Sequence, residues 1–230
     1  MSDSVTYERR DAVALVTIDD GKANALSFEV LAALGAALDR AEADGAGAVL
    51  ITGRPGTLSG GFDLKVMRGG DLHAIADLVT TGGELFLRLY RSPMPVVAGC
   101  TGHAVAAGAL LLLGAHHRVG ADGDFRIQLV ETAIGMVLPD WAVELGRARL
   151  SARHVEPACI EAFPYAPAAA VDAGFLDRVV PPAEVLEAGL AEAARLAALP
   201  AGAYAGNAAK VRGPALERIG AAVAADRAGR

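Results

Sequence analysis

Residues 95–119 read PVVAGCTGHAVAAGALLLLGAHHRV, and this stretch decides the fold class. It opens on Pro95-Val96-Val97-Ala98, an apolar, β-rich run of the kind that forms a buried strand. A second apolar run predicts a helix over 107–115. The unbroken apolar stretch covers about twelve residues, where a membrane span needs roughly 20, so a buried core helix is expected. Amides at the start of such a helix lack intrahelical partners and carry partial positive charge, which suits an oxyanion. The small residues there, among them Ala107 and Gly108, would let a ligand reach those amides. They would equally suit close helix packing. At the other end, adjacent His116 and His117 cannot readily aim both rings at one metal. They are expected at a helix C-terminus, in favourable contact with its dipole.

Working outward, short strands alternate with helices. Residues 13–18 (VALVTI) and 48–52 read as strands. Ser27 is placed to cap a helix running to about Ala43, with Leu31, Leu34 and Leu38 on one face. GRPGTLSGGFDLK, residues 53–65, is a Gly-rich loop. Residues 72–90 predict a helix with an interruption near Gly82-Gly83, and 125–127 a short strand. Residues 141–150 and 183–199 predict helices, the second following Pro181-Pro182. The pattern is that of an α/β fold. A core over residues 1–182 and a helical region over 183–230 are expected. The apolar, Ala-rich tail of that region is expected to pack on a neighbouring subunit.

Composition narrows the function classes. The chain has 230 residues, 53% hydrophobic and 21% charged, enough for one full core. Its formal net charge of −6 disfavours a nucleic-acid partner. Cys100 and Cys159 stand in no metal or redox spacing. Charges interrupt the opening MSDSVTYERRDAV before any apolar stretch, so a cytoplasmic location is expected. There is no G-x-x-x-x-G-K-[ST], no G-x-G-x-x-G after the first strand and no H-E-x-x-H. A G-x-S-x-G elbow is excluded because Thr57 stands two before Ser59. No metal and no separate cofactor are expected.

Two further segments join the first. In Ser59-Gly60-Gly61-Phe62-Asp63-Leu64-Lys65 the glycines allow a tight turn, which could present the Phe62 amide to an anionic oxygen. In ETAIGMVLPDW, residues 131–141, Glu131 follows apolar Val130 and precedes Ala133 and Ile134. A carboxylate in an apolar wall has a raised pKa and can carry a proton. Each segment alone is equally compatible with an ordinary turn or a solvated surface position.

Together, in this order, the segments resemble the enoyl-CoA hydratase/isomerase (crotonase) superfamily. The resemblance starts at VTIDDGKANAL, with its Asn24-Ala25-Leu26 signature. It continues through SGGFDLK, PVVAGCTGHAVAAGALLLLGAHHRV and ETAIGMVLP, and extends to AVDAGFLDRVV at 170–180. It implies a spiral of ββα turns forming two nearly perpendicular sheets flanked by helices, then a C-terminal helical oligomerisation region. Homotrimers or dimers of trimers are implied. The implied substrate is an acyl-CoA thioester, its coenzyme A being part of the substrate. The thioester oxygen would sit between the amides of Phe62 and Ala107. Ala107 stands where many relatives have Gly, and its methyl is expected to narrow the site. Substrate contacts are implied at Ala23, Ala25, Leu26, Ser59, Gly61, Asp63, Leu64, Lys65, Gly108, Leu110, Leu138 and Trp141. Lys22, Arg54, Lys65 and Arg68 are candidates for CoA phosphates, and Lys210 resembles a tail lysine that contacts CoA in some relatives, each against a plain surface role.

Family hydratases generally use two glutamates. This chain keeps one, Glu131, and has Leu110 at the other position. Shifting a double bond from C3–C4 to C2–C3 needs no water and one base, so the pattern is similar to that of 3,2-enoyl-CoA isomerases. Two alternatives stand beside it. One is a hydratase or lyase drawing a second carboxylate from elsewhere, such as Asp140. The other is a non-catalytic acyl-CoA-binding protein.

Overall fold

The computed structural model describes residues 4–229. The strands are β1 (Val5–Arg10), β2 (Val13–Ile18), β3 (Ala48–Gly53), β4 (Gly56–Ser59), β5 (Val96–Cys100), β6 (Gly102–Val105), β7 (His117–Ala121), β8 (Ile127–Gln128) and β9 (Arg178–Val180). The helices are α1 (Phe28–Ala43), α2 (Leu64–Met67), α3 (Leu72–Arg91), α4 (Ala107–Gly114), α5 (Asp140–Arg149), α6 (Val155–Cys159), α7 (Pro167–Ala173), α8 (Val185–Ala197) and α9 (Ala201–Ala228).

Two sheets result. The larger has the order β1-β2-β3-β5-β7-β9, and the smaller β4-β6-β8. β1 and β2 form an antiparallel hairpin, and every later pairing is parallel. Three times the chain leaves a strand of the large sheet and enters one of the small sheet directly: β3 to β4, β5 to β6, β7 to β8. This is the ββα spiral implied by the resemblance.

A parallel sheet must be covered on both faces. Alternate residues of β2 divide accordingly. Ala14, Val16 and Ile18 join the main core with Val30, Leu31 and Leu34 of α1. Val13 and Leu15 join Leu186, Leu190 and Ala193 of α8. Thus α8, beyond residue 182, covers the second sheet face. α9 lies on α3 and α5 of its own chain. At the sheet's far end Arg118 donates from Nε and Nη2 to Asp177 at 2.9 and 2.7 Å, tying β7 to β9. Burial raises the Asp177 pKa, but the bonds and charge of Arg118 outweigh it and hold the carboxyl below its usual range.

Several expectations change. The interruption near Gly82-Gly83 is absent, and α3 runs unbroken through both. The glycines serve close approach instead. A Cβ at Gly82 would lie 2.5 Å from the Phe62 ring, and one at Gly83 would lie 2.8 Å from the Trp141 ring. The strand expected at 125–127 is Ile127–Gln128. The helix expected over 183–199 divides into a 3-10 turn, Pro182–Glu184, and α8. His116 does not serve a helix dipole as a cation. It is enclosed, its Nδ1 accepting from Val96 N–H and lying 2.8 Å from Tyr204 Oη. Burial, then the charges of Arg212 and Arg149, push its pKa down to about 3, so the ring is neutral.

Candidate active site

The site begins under the Gly-rich turn. Asn24 is fully buried, with φ +51°. Its Nδ2 donates to the carbonyls of Ile18 and Leu58, and its Oδ1 accepts from Asp20 N–H. Asp20 in turn accepts from the backbone of Lys22, Asn24 and Ala25. Burial works against that carboxylate, but the backbone donors hold its pKa low. This knot fixes the 19–26 loop against β4. Ser59 donates from Oγ to the Asn24 carbonyl at 2.8 Å and accepts from Gly61 N–H at 3.1 Å.

Next comes the turn itself. Gly61 has φ +104°, a conformation a side chain would strain. Phe62 then bridges Leu26 in parallel. That bridge uses the Gly61 carbonyl and the Asp63 N–H, so the Phe62 N–H points away from it. Asp63 caps α2 by accepting from Lys65 N–H at 2.9 Å.

The second turn abuts the first. A Cβ at Gly61 would lie 3.0 Å from Ala106 Cβ and 3.4 Å from Ala107 N. Gly108 lets α4 press onto β4, because a Cβ there would be 2.2 Å from the Ser59 carbonyl oxygen. Ala106 carries φ +51° and ψ −124°. Such a backbone costs on the order of 1–3 kcal/mol in a non-Gly residue. It is held from both sides: Ala106 N–H donates to the Gln128 carbonyl, and its own carbonyl accepts from Ala109 and Leu110. Ala107 opens α4, so its N–H has no carbonyl one turn earlier to meet. The fold thus brings the Phe62 and Ala107 amides to adjoining turns.

These turns border a cavity of about 560 Å³. Of the residues expected at the site, Phe62, Leu64, Leu110, Glu131 and Trp141 line it. Ala107 does not; Ala106 does, so the Ala107 methyl does not narrow the space. Ala23, Ala25, Leu26, Ser59, Gly61, Asp63, Lys65, Gly108 and Leu138 also lie off the wall. Ser59, Gly61, Asp63 and Gly108 build the turns instead. Asp140 starts α5 at an exposed position off the wall and supplies no second acid to the cavity. Lys22, Lys65, Arg68 and Lys210 are exposed, and Arg54 is engaged by Asp19 and the Lys22 carbonyl.

Glu131 precedes the 3-10 turn Thr132–Ile134. Its Oε2 is buried and has no hydrogen-bond partner among the described residues. Burial raises its pKa, and the backbone of Glu131 and Val130 offsets only part of this. Leu110, 1% exposed, lines the same cavity. Trp141 packs against Phe86 with ring centroids 5.9 Å apart. A partly desolvated carboxylate in an apolar wall, with the Phe62 and Ala107 amides at the adjoining turns, suits proton transfer. Among the described residues no group of three His, Cys, Asp or Glu could hold a metal ion, and no helix is long and apolar enough to cross a membrane.

Sequence reasoning missed part of the wall. Ile75, Ala76 and Val79 of α3 line the cavity, and their spacing was visible as a helical stripe. Ala225, Asp226 and Gly229 come from the chain's far end, and no local pattern announces them.

Comparison with known proteins agrees with this geometry. The family pattern described as enoyl-CoA hydratase/isomerase matches residues 8–226. The human mitochondrial enoyl-CoA delta isomerase 1 is 32% identical over 191 residues, 82% of this chain and 63% of that protein. The chain therefore spans less than two thirds of that relative's length. A putative enoyl-CoA hydratase from Thermus thermophilus is 35% identical over 197 residues, 76% of this chain and 70% of that one. The apo structure titled as an enoyl-CoA isomerase from Mycobacterium tuberculosis is 39% identical, with a TM-score of 0.94 and 99% of both chains covered.

Proposed function

The chain belongs to the enoyl-CoA hydratase/isomerase family, and we propose that within it the protein shifts the double bond of a 3-enoyl-CoA to the 2-position. The observation that carries this reading is that Glu131 shares the wall with Leu110, which stands where a second glutamate would be needed to hold water; the cavity's other carboxylate, Asp226, comes from the end of α9. Relatives bear both isomerase and hydratase names, so the wall chemistry, not the likeness, supports the choice.

In this reading the thioester oxygen lies between the N–H groups of Phe62 and Ala107. Glu131, ionised, removes a proton from C2. The C2–H electron pair moves into the conjugated system, and the thioester oxygen takes negative charge as the dienolate forms. Preorganised amides help most at this moment; losing one such donor costs roughly 2.7–4 kcal/mol. Protonated Glu131 then returns the proton to C4, the C2–C3 double bond is set, and the carboxylate is restored. No water is consumed. Burial makes the Glu131 carboxylate a stronger base than an exposed one, because taking up the proton removes a poorly solvated charge.

The test is to incubate the protein with 3-hexenoyl-CoA and, separately, 2-hexenoyl-CoA. Conversion of the first to 2-hexenoyl-CoA, with no hydration of the second, is expected. Rapid conversion of 2-hexenoyl-CoA to the 3-hydroxy product would make the protein a hydratase. Saturable binding of both with no turnover would make it a binding protein.

A further inference from the structure

The cavity's outer wall ends on a latch. α3 presents Ile75, Ala76 and Val79 to the cavity. Asp77, Thr81 and Glu84, on the neighbouring strip of the same helix, meet Arg227 of α9. Arg227 Nη1 donates to Asp77 Oδ1 at 2.6 Å. Its Nε and Nη2 hold both oxygens of Glu84, at 2.9 and 2.7 Å. The residues on either side of Arg227 are part of the cavity wall: Ala225 and Asp226 before it, Gly229 after it.

Behind the latch lies more space. A groove of about 680 Å³ runs between α3 and α9, lined by Leu87, Leu216 and Val223 and by the latch residues Glu84 and Arg227. The ion pair thus lines the groove, while the residues flanking Arg227 line the cavity. Pro214 lies inside α9 and removes one helical hydrogen bond, giving a bending point. Among the described residues of α9 only Ile219 and Val223 are buried. Ahead of the latch Arg218 donates to Glu144 of α5 at 2.7 Å.

We propose that Arg227 is a positioning residue for acyl-chain selection: its latch to Asp77 and Glu84 closes the cavity against the α3–α9 groove, so short acyl chains are preferred and long ones must open it. This inference rests on the acyl-CoA reading of the cavity, not on the direction of the reaction. A bidentate Arg–carboxylate pair with a second acceptor is the best-ordered kind of surface ion pair, and salt weakens it.

The test uses non-reacting ligands. Calorimetry of hexanoyl-CoA and dodecanoyl-CoA gives the ratio of dissociation constants for long over short chains. Arg227→Ala is expected to lower this ratio by about three- to tenfold. Glu84→Gln, which keeps Asp77, is expected to lower it less. The charge swap Arg227→Glu with Glu84→Arg is expected to restore it. A merely structural role would change melting temperature without changing the ratio. An unchanged ratio in both folded single variants overturns the proposal, and so does failure of the wild type to bind either ligand. A shifted ratio in a protein that isomerises nothing would uphold the latch and sink the isomerase reading.

Discussion

The turns before α2 and α4 are built from backbone and held from beneath by buried groups, whereas the wall made by the end of α9 is held by ion pairs at the surface. In the first, Asn24, Ser59, Gly61, Ala106 and Gly108 are locked by short hydrogen bonds and direct contact. In the second, Arg227 keeps 41% of its side chain exposed while it grips α3. The two walls suit different tasks. Oxyanion donors must not move as charge develops, so they sit where motion costs packing. A wall that sorts chains can yield, so surface charge is enough to hold it.

Gly108→Ala would break the rigid wall most severely. The new methyl must displace the Ser59 carbonyl or the start of α4, carrying the Ala107 N–H with it. Overpacking of this kind costs about 1–3 kcal/mol, or roughly 2–12 °C of melting temperature in a chain this size. Turnover is expected to fall on the order of 10²-fold, because misplacement by about an ångström is enough for that. Wild-type turnover in a folded Gly108→Ala variant would show that the two turns need not meet so closely.

Glu131→Gln should have a smaller effect on stability, of opposite sign. The folded protein raises the Glu131 pKa, so it binds the proton more tightly than the unfolded chain. Stability is then lost as pH rises from the unfolded-chain carboxylate pKa through the higher folded value. The Gln variant escapes that loss. It is expected to melt above wild type at pH 8, and level with it at pH values below the ordinary carboxylate pKa. Scanning calorimetry across that range decides the sign.

Val137→Ser should do least. Val137 lines the cavity yet is 92% exposed. The melting temperature is expected to move by no more than about 2 °C. Affinity for dodecanoyl-CoA is expected to weaken by about threefold or less, consistent with a wall still open to water. A loss as large as that from Gly108→Ala would erase the distinction between the walls.

The rigid wall was legible in the sequence because its causes are local. Gly61 takes a left-handed backbone, Gly108 leaves no room for a side chain against β4, and Asn24 turns its own loop, and these places meet in the fold. Glu131 stood out by its apolar neighbours, and the structure gives it a buried, unpartnered oxygen. Gly82 and Gly83 misled because glycine in a helix reads as weakness. Their reason is contact with Phe62 and Trp141, which lie far away in the chain. The α9 wall was invisible for a similar reason. Where a terminal helix docks depends on Arg227 finding partners some 140 to 150 residues earlier, and no periodicity encodes that. Ala106 shows the same limit: its strain comes from neighbours on both sides, not from its own identity.

The most direct measurement compares the rate of 3-hexenoyl-CoA isomerisation by wild type and Glu131→Gln across pH. The wild-type kcat/KM is expected to fall on the acid side as Glu131 takes up its proton, along a limb lying above the ordinary carboxylate pKa. The Gln variant should be slower by about 10²–10⁴-fold and should lack that limb, while still binding hexanoyl-CoA with near wild-type affinity. A Gln variant that isomerises as fast as wild type, or keeps the same acid limb, would contradict the assignment of Glu131 as the base.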